Sequence, residues 1–202
     1  MTSTGQAGRP TGIAGRLTGM IMARLNADME HAGVELLSLR GDERALEIGY
    51  GPGIGISALL TVLPDGRVAG IDPSPDMCRR AGRQATRQAS HRAGAAKRVD
   101  LRIGEVSSLP WPDDAFDGIL AVNTAQFWPD PAADAAEVLR VLAPGGRVVI
   151  ALRTGGRHGH AELAARYADL LIEDDLVVTR HTRTMRTGPA VFVRGQRHWL
   201  AA

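Results

Sequence analysis

The chain has 202 residues, 44% of them hydrophobic, which suits one globular domain rather than an assembly of several. Its 24 basic and 22 acidic residues leave a formal net charge of +2, too small an excess to predict a nucleic-acid-binding protein. Aromatic residues make up only 4% of the chain, so stacking platforms for bases are not expected either.

Cysteine usage and hydropathy indicate the expected compartment. Cys78 is the single cysteine, which excludes an internal disulfide and any zinc or iron-sulfur site built from several thiolates. Charged residues or glycine interrupt every apolar run before it reaches the roughly 18 to 20 residues that a membrane-spanning helix requires. We therefore expect a cytoplasmic protein with no membrane contact, and the arginine-rich, lysine-poor composition favours a bacterial source.

The N-terminal part of the chain divides into two segments. Residues 1–12 are small and polar, which predicts a disordered arm. From Ile13 to Met29 apolar residues recur every three or four positions, with charged residues such as Glu30 elsewhere, which predicts an amphipathic helix. The apolar face of this helix is compatible with a homodimer.

Beyond residue 43 the pattern changes to short apolar runs that alternate with helical stretches. The runs predict buried parallel strands at 45–49, 68–72, 99–103, 116–122 and 147–152. The stretches between and after them predict helices at about 54–63, 74–94, 131–142 and 158–173. This alternation indicates an α/β fold with a Rossmann-like, doubly wound sheet.

Two turn signals complete the predicted sheet. The sequence Ala143-Pro144-Gly145-Gly146 is typical of a type II turn, with proline at its second position and glycine at its third. Residues 177–183 and 190–194 are extended runs with no helical stretch between them, which predicts an antiparallel hairpin. Residues 154–202 would thus contribute a C-terminal helix and this hairpin, which would close a sheet of seven strands, five of them parallel.

A glycine-rich segment follows the first predicted strand. Its residues are Glu47-Ile48-Gly49-Tyr50-Gly51-Pro52-Gly53. Glycines here would let backbone amides approach a ligand at the carboxyl edge of the sheet. Asp72 ends the second strand, where its carboxylate can accept both hydroxyls of an adenosine ribose. Loop and acid together predict a cofactor that contains adenosine.

Charge favours one such cofactor over another. Ile54 stands where the dinucleotide fingerprint has its third glycine, and the carboxylate of Glu47 would repel a pyrophosphate. A cationic ligand such as S-adenosylmethionine would instead be attracted, by about 4 kcal/mol at 4 Å and an effective dielectric constant near 20. An NAD-dependent oxidoreductase remains the less favoured alternative.

Several ordered motifs resemble the class I S-adenosylmethionine-dependent methyltransferases, specifically the small-molecule group similar to the ubiquinone and menaquinone biosynthesis enzymes. The resemblance covers roughly residues 44–153, the expected cofactor-binding core. It rests on Leu46-Glu47-Ile48-Gly49-Tyr50-Gly51-Pro52-Gly53, Gly70-Ile71-Asp72-Pro73-Ser74-Pro75-Asp76-Met77, Gly104-Glu105-Val106 with Leu109-Pro110 and Phe116-Asp117, and Arg140-Val141-Leu142-Ala143-Pro144-Gly145-Gly146-Arg147. It also implies that residues 13–43 form a helical lid over the pocket.

The resemblance implies a role for each matching position. The glycine loop would surround the methionine part of the cofactor, with Glu47 beneath it and Asp72 on the ribose. The residues expected to bind the cofactor are Glu47, Gly49, Tyr50, Gly51, Gly53, Asp72, Pro73, Met77, Gly104, Glu105, Val106, Asn123 and Thr124. Pro73 and Met77 would pack on adenine, and Glu105 stands where aspartate is commoner in the family.

The segment after the fourth strand and three proton acceptors complete the expected site. Gln126, Phe127 and Trp128 would face a small-molecule substrate, beside the sulfonium-lining Asn123 and Thr124. No catalytic residue is identified; His158, His160 and Tyr50 are candidates for a general base. The two histidines have no carboxylate partner in their motif, so no metal site is predicted. We expect methyl transfer to a small organic acceptor, with a non-catalytic S-adenosylmethionine-binding protein as the alternative.

Overall fold

The computed structural model describes residues 27–89, 98–155 and 158–199. Its strands are β1 Arg44–Ile48, β2 Arg67–Asp72, β3 Val99–Ile103, β4 Phe116–Val122, β5 Leu142–Arg153, β6 Val177–Met185 and β7 Gly188–Gln196. Its helices are α1, which covers residues 27–37, and then α2 Ile54–Val62, α3 Pro75–Ala89, α4 Pro131–Val141 and α5 His160–Glu173. Three predicted segments lie outside the described residues: the arm, residues 13–26 of the lid, and the last five residues of the helix predicted at 74–94.

The seven strands form one sheet in the order β3-β2-β1-β4-β5-β7-β6. Strands β1 to β5 are parallel to one another, and β7 pairs antiparallel with both β5 and β6. β6 therefore runs in the same direction as β1 to β5. The predicted Rossmann-like α/β fold and its antiparallel hairpin are confirmed. β2 and β3 lie on one side of β1, whereas β4 and β5 lie on the other. The connections therefore leave β1 and β4 in opposite directions, which opens a crevice at the carboxyl ends of these two strands.

Helices cover both faces of the sheet. One apolar cluster packs α1, α2 and α3 against strand residues such as Val68, Leu120 and Phe192. The other packs α4 and α5 against strand residues such as Leu46 and Ile119. Side chains alternate between these clusters along each strand, which explains why the buried strands read as continuous apolar runs in the sequence.

A buried ion pair fixes the chain after α1. Arg147 on β5 donates from Nη1 to Glu43 Oε1 at 3.1 Å and from Nη2 to Glu43 Oε2 at 2.6 Å. Its Nε donates to the carbonyl of Leu37 at 2.9 Å, at the end of the helix. Both residues are at most 8% exposed. This bidentate contact ties the end of α1 to the sheet.

Two predicted turns differ from the structure. Residues 143–146 belong to β5, at a register shift against β4, because Gly145 and Gly146 pair with His198 and Arg197 beyond β7. Gly145 nevertheless has φ +75°, the left-handed conformation that the turn assigned to it. The hairpin turn is shorter than predicted, since pairing continues to Met185 and Gly188. Within the described ranges, every helix is too short or too polar to cross a bilayer.

Candidate active site

The glycine loop after β1 adopts a backbone that only glycine takes readily. Gly49, Gly51 and Gly53 have φ values of +73°, +51° and +95°. A side chain at Gly49 would collide with Thr124 at the end of β4. A Cβ at Gly53 would lie 2.9 Å from the Cβ of Ala81 on α3. The loop is therefore held close to the two neighbouring segments that were predicted to line the site.

Asp72, at the carboxyl end of β2, organises the adjacent backbone. Its Oδ2 accepts the N–H of Gly51 at 2.9 Å, and its Oδ1 accepts the N–H of Ser74 at 2.8 Å. The residue is only 7% exposed. Burial raises the pKa of Asp72, although the hydrogen bonds from Ser74 and Gly51 oppose that rise. A carboxylate oxygen has more than one lone pair, so both oxygens can accept further hydrogen bonds from a ligand.

Glu47, on β1, is a buried acid under the loop. It is 1% exposed, and its Oε2 has no hydrogen-bond partner among the described residues. A backbone hydrogen bond from Ile56 at the start of α2 reaches its carboxyl group. Burial first, then the nearby charges of Glu30 and Asp72, raise the pKa of Glu47 well above its usual value. Such a group is stabilised by a cation.

Gly55, in the first turn of α2, makes room for this acid. A Cβ at Gly55 would lie 2.6 Å from Cδ of Glu47. Any larger residue would therefore displace the carboxyl group or the helix. The glycine at position 55 is visible in the sequence, but that it makes room for the carboxyl group of Glu47 is visible only in the structure.

Glu30 on α1 was not predicted as a site residue. In the sequence it lies off the apolar stripe of the first helix, which indicates a solvent-facing position. The structure instead buries its Oε2, with no hydrogen-bond partner among the described residues. Burial raises the pKa of Glu30 to about 8. Its charge acts on Glu47, so the helix and the first strand each contribute an acid at one place.

A cavity of about 310 Å³ opens at the carboxyl ends of β1, β2, β3 and β4. Six residues predicted to bind the cofactor line it, namely Gly49, Pro73, Gly104, Glu105, Val106 and Thr124. Phe127 and Trp128, predicted to face the substrate, line it as well, together with Ile48, Ile71 and Pro129. The cavity thus brings together segments that are about 20 to 80 residues apart in the chain, as the crevice of an open α/β sheet does.

Other predicted residues surround the cavity without lining it. Asn123, with φ +50°, accepts the N–H of Arg153 at 2.9 Å through Oδ1 and donates to Sδ of Met29 at 3.3 Å. It therefore connects β4 to β5 and to α1. Met77 is half-buried in the first turn of α3, five residues after Asp72, and it is not among the residues that line the cavity.

The segment after β4 is held in place from α5. Tyr167, which is fully buried, donates its hydroxyl proton to the carbonyl of Ala125 at 3.1 Å. Its ring meets that of Trp128 edge to face, with centroids 5.3 Å apart. Trp128 is thereby fixed, whereas Phe127 next to it is 76% exposed at the rim.

Of the three candidate bases, Tyr50 is poorly placed. Its side chain is 2% exposed in the apolar cluster below α2 and α3, and its hydroxyl donates to the carbonyl of Arg102 at 3.2 Å. Burial raises its pKa far above the usual value, which opposes deprotonation. Tyr50 is therefore not positioned as a base, because the side chain after Gly49 turns into the core.

The histidines lie after β5, at the start of α5. His158 is exposed, and Nδ1 of His160 donates a hydrogen bond to the carbonyl oxygen of Arg153 at 2.8 Å. That contact leaves Nε2 of His160 as the free ring nitrogen for proton transfer. Neither histidine lines the cavity.

A comparison of the sequence with protein families gives one match. Residues 46–150, from the middle of β1 to β5, match the model of the methyltransferase domain. The chain belongs to this family. The predicted methyltransferase family is therefore confirmed. The matched region contains the glycine loop, Asp72 and the strand ends that form the cavity.

Two curated relatives of this methyltransferase chain have uncharacterised roles. A 37.1 kDa protein in a transposon of Streptomyces fradiae is 35% identical over 149 residues, 73% of this chain and 39% of that protein. The methyltransferase YdaC of Bacillus subtilis is 26% identical over 158 residues, 78% of this chain and 82% of that protein. The chain thus spans about two fifths of the first relative and most of the second.

Solved structures support the methyltransferase fold. A SAM-dependent methyltransferase from Aquifex aeolicus superposes with a TM-score of 0.71 at 17% sequence identity. The match covers 89% of this chain and 97% of that one. At this identity the likeness concerns the fold, and it extends over the sheet and both helical layers described above.

The methyltransferase site fits S-adenosylmethionine in charge and shape. The buried Oε2 of Glu47, which has no hydrogen-bond partner in the described part of the chain, is suited to a positively charged ligand and unsuited to a pyrophosphate. The left-handed glycines expose backbone at the crevice, and Asp72 offers lone pairs beside them. The residues present therefore suit a positively charged ligand with hydroxyl groups, as S-adenosylmethionine is.

Proposed function

We propose that the protein transfers the methyl group of S-adenosylmethionine to a small organic acceptor. The observation that carries the proposal is the position of two acids at one sheet edge: Glu47 is buried under the glycine loop, and Asp72 holds that loop through Gly51. A cationic sulfur compound that contains adenosine satisfies both acids. The family match and the cavity beside the loop support the same assignment.

Each part of the cofactor has residues suited to hold it. The backbone of Gly49, Gly51 and Gly53 would contact the methionine part, and Asp72 would accept the ribose hydroxyls. The wall formed by Pro73 and residues 104–106 would enclose adenine. Glu105 is exposed at the rim and can turn towards the adenine amino group, whereas the neighbouring Val106 is buried and shapes the floor.

The acceptor would enter between Thr124 and the segment 127–129. When bound, the cofactor would supply a methyl group on a positively charged sulfur, and S-adenosylhomocysteine would leave as the methyl carbon bonds to the acceptor atom. The protein's contribution is to hold that acceptor in line, and positioning of this kind can supply about 7 to 11 kcal/mol of the barrier. Trp128, fixed by Tyr167, provides a rigid apolar wall that excludes water.

The size and lining of the cavity favour a small acceptor. A volume of about 310 Å³ lies at the lower end of the range for small-molecule sites. Phe127, Trp128 and Pro129 give it an apolar entrance. An acceptor with a flat or apolar body and one nucleophilic atom fits this lining.

Binding of three ligands to the purified protein tests the cofactor. We expect calorimetric titration to give binding of S-adenosylmethionine and S-adenosylhomocysteine and none of NAD. Asp72→Ala should abolish this binding, whereas the matched variant Asp65→Ala, in the exposed turn between α2 and β2, should bind as the unaltered protein does. Preferential binding of NAD would overturn the proposal.

Formation of S-adenosylhomocysteine with a panel of small phenols, amines, thiols and quinols tests the reaction. We expect turnover with at least one acceptor class and its loss in Asp72→Ala. Tight cofactor binding with no transfer to any acceptor would favour the non-catalytic alternative.

The setting of the protein is part of the proposal. A cytoplasmic, reducing compartment is supported by Cys78 being the single cysteine of the chain. A bacterial source is supported by the Streptomyces and Bacillus relatives. We propose a small-molecule rather than a nucleic-acid partner, given the net charge of +2. The homodimer expected through the apolar face of the N-terminal helix has no support in residues 27–37, because their apolar side chains pack on the sheet.

A further inference from the structure

The carboxyl group of Glu30 lies in an unusual environment for an acid on a surface helix. Its Oε2 is closed off from solvent and has no hydrogen-bond partner among the described residues. The same holds for Oε2 of Glu47 on the neighbouring strand. Two buried carboxyl groups whose Oε2 atoms lack a partner among the described residues are costly to ionise side by side. Their pairing therefore indicates a positively charged ligand.

The position of α1 is fixed well enough to aim Glu30. Met29, the residue before it, is fully buried and accepts a hydrogen bond from Asn123 at the end of β4. One turn later Gly33 packs so closely on β4 that an added Cβ would lie 2.7 Å from Cδ1 of Leu120. At the start of the helix Asp28 accepts the N–H of Arg186 at 2.6 Å. Glu30 is thus held between two anchored points.

The acid pair lies on one side of the glycine loop and the cavity on the other. Glu47 points towards α2, where Gly55 makes room for it, while the cavity is lined from the opposite face by Ile48 and Ile71. Adenine and acceptor belong to the cavity. The end of the cofactor that remains for the acid pair is its amino-acid end, whose positive group is an ammonium.

We propose that Glu30 is a cofactor-binding residue and that, with Glu47, it holds the ammonium group of the methionine part of S-adenosylmethionine. This inference rests on the proposed function and adds a residue from the N-terminal helix to the site. An ammonium group has three donors, so it can serve both carboxylates at once. Binding would give both carboxyl groups a positively charged partner, which favours their ionised forms.

Among the described residues, the charges of Glu30 on α1 and of Asp72 on β2 both act on Glu47 of β1, and those of Asp72 and Glu47 act on the Tyr50 hydroxyl. Burial keeps the pKa of Glu30 near 8, so a proton is retained at neutral pH in the cofactor-free protein. Arrival of the ammonium should expel it. Cofactor binding should therefore release a proton, which calorimetry in buffers of different ionisation enthalpy measures.

The test compares Glu30→Gln with the unaltered protein against three ligands. We expect a loss of affinity of about 10- to 100-fold for S-adenosylmethionine and for S-adenosylhomocysteine, since both carry the ammonium. Affinity for 5′-methylthioadenosine, which lacks the amino-acid part, should be unchanged. Glu35→Gln, exposed on the same helix and paired with Arg183, is the matched control and should bind all three normally.

Three results would overturn the inference. Equal affinities of Glu30→Gln and the unaltered protein would show that Glu30 does not contact the cofactor. Equal losses for all three ligands would show a purely structural role, and a loss confined to S-adenosylmethionine would place the sulfonium, not the ammonium, at Glu30. If the unaltered protein bound none of the ligands, the proposed function would fail first, and this inference with it.

Discussion

Asp72 accepts the backbone N–H of Gly51 at 2.9 Å, which joins the end of β2 to the loop that leaves β1. The same carboxylate accepts the N–H of Ser74, so it also fixes the start of α3. One buried acid thus shapes the loop before any ligand arrives. The ribose-binding role proposed for it depends on this preformed geometry.

Replacement of that acid separates shape from ligand contact. We expect Asp72→Asn to keep one acceptor oxygen and to lose the other, which costs about 1–3 kcal/mol of stability and weakens cofactor binding at least tenfold. Chemical denaturation and calorimetric titration measure the two effects. Binding unchanged in Asp72→Asn would contradict the assignment of the ribose to this residue.

Gly55→Ala tests the space that α2 leaves for Glu47. The added Cβ lies 2.6 Å from Cδ of Glu47, so we expect a loss of about 1–3 kcal/mol of stability and weaker cofactor binding. The control is Gly82→Ala on α3, where an added Cβ meets no atom of the described residues within 4 Å. That variant should be stabilised by up to about 1 kcal/mol, since alanine favours a helix.

The pH dependence of stability should report on Glu30. A carboxyl group whose pKa is 4.5 unfolded and about 8 folded binds more protons in the folded state, so the free energy of unfolding falls as pH rises between these values. The raised pKa of Glu47 acts in the same direction. We expect the cofactor-free protein to lose on the order of a few kcal/mol across this range. Urea denaturation at pH 5 and pH 8 measures the loss, and Glu30→Gln should reduce it.

The buried pair of Glu43 and Arg147 should behave in the opposite way in acid. Burial would raise the pKa of Glu43, but hydrogen bonds from Arg147 and Arg40 outweigh it and lower the pKa. This carboxylate therefore stabilises the fold above its unfolded pKa of 4.5, and the contribution is lost as pH falls through the folded value. We expect Glu43→Gln to cost about 3–5 kcal/mol because Arg147 keeps a buried charge.

A double variant controls for the loss of packing at that pair. Glu43→Leu combined with Arg147→Met removes both charges, and it should recover most of the stability lost in Glu43→Gln. Thermal unfolding compares the three proteins. A double variant less stable than the single one would show that the pair's hydrogen bonds to Leu37 and Ser38 matter more than its charges.

Tyr167→Phe tests how α5 holds the wall of the cavity. Loss of the hydrogen bond to Ala125 should cost about 1 kcal/mol and loosen Trp128, which lowers turnover more than cofactor affinity. Tyr50→Phe is the matched control, since it also removes a hydroxyl bonded to a backbone carbonyl. It should lose similar stability and retain turnover. Turnover lost only in Tyr50→Phe would restore that residue as a candidate base.

The elements of the fold were predictable because their signals are local. Short apolar runs and helical stretches alternate, so all five parallel strands and the hairpin follow from the pattern of side chains alone. The bulge at residues 143–146 was missed, because its backbone groups pair with Arg197 and His198, some 50 residues later in the chain. Pairing partners so distant leave no mark on the local sequence.

Within the site, the glycine loop, its acid Glu47 and the strand-end acid Asp72 could be predicted from the sequence, because turn chemistry and charge are properties of residue type and spacing. The directions of the side chains could not, because they depend on how the elements pack. The tertiary structure turned Tyr50 into the core, gathered six predicted residues around one cavity, and buried Oε2 of Glu30 where the charge of Glu30 acts on Glu47. The helical period assigns Glu30 to a polar face, but what that face meets depends on how α1 crosses β4, which no spacing within the helix encodes.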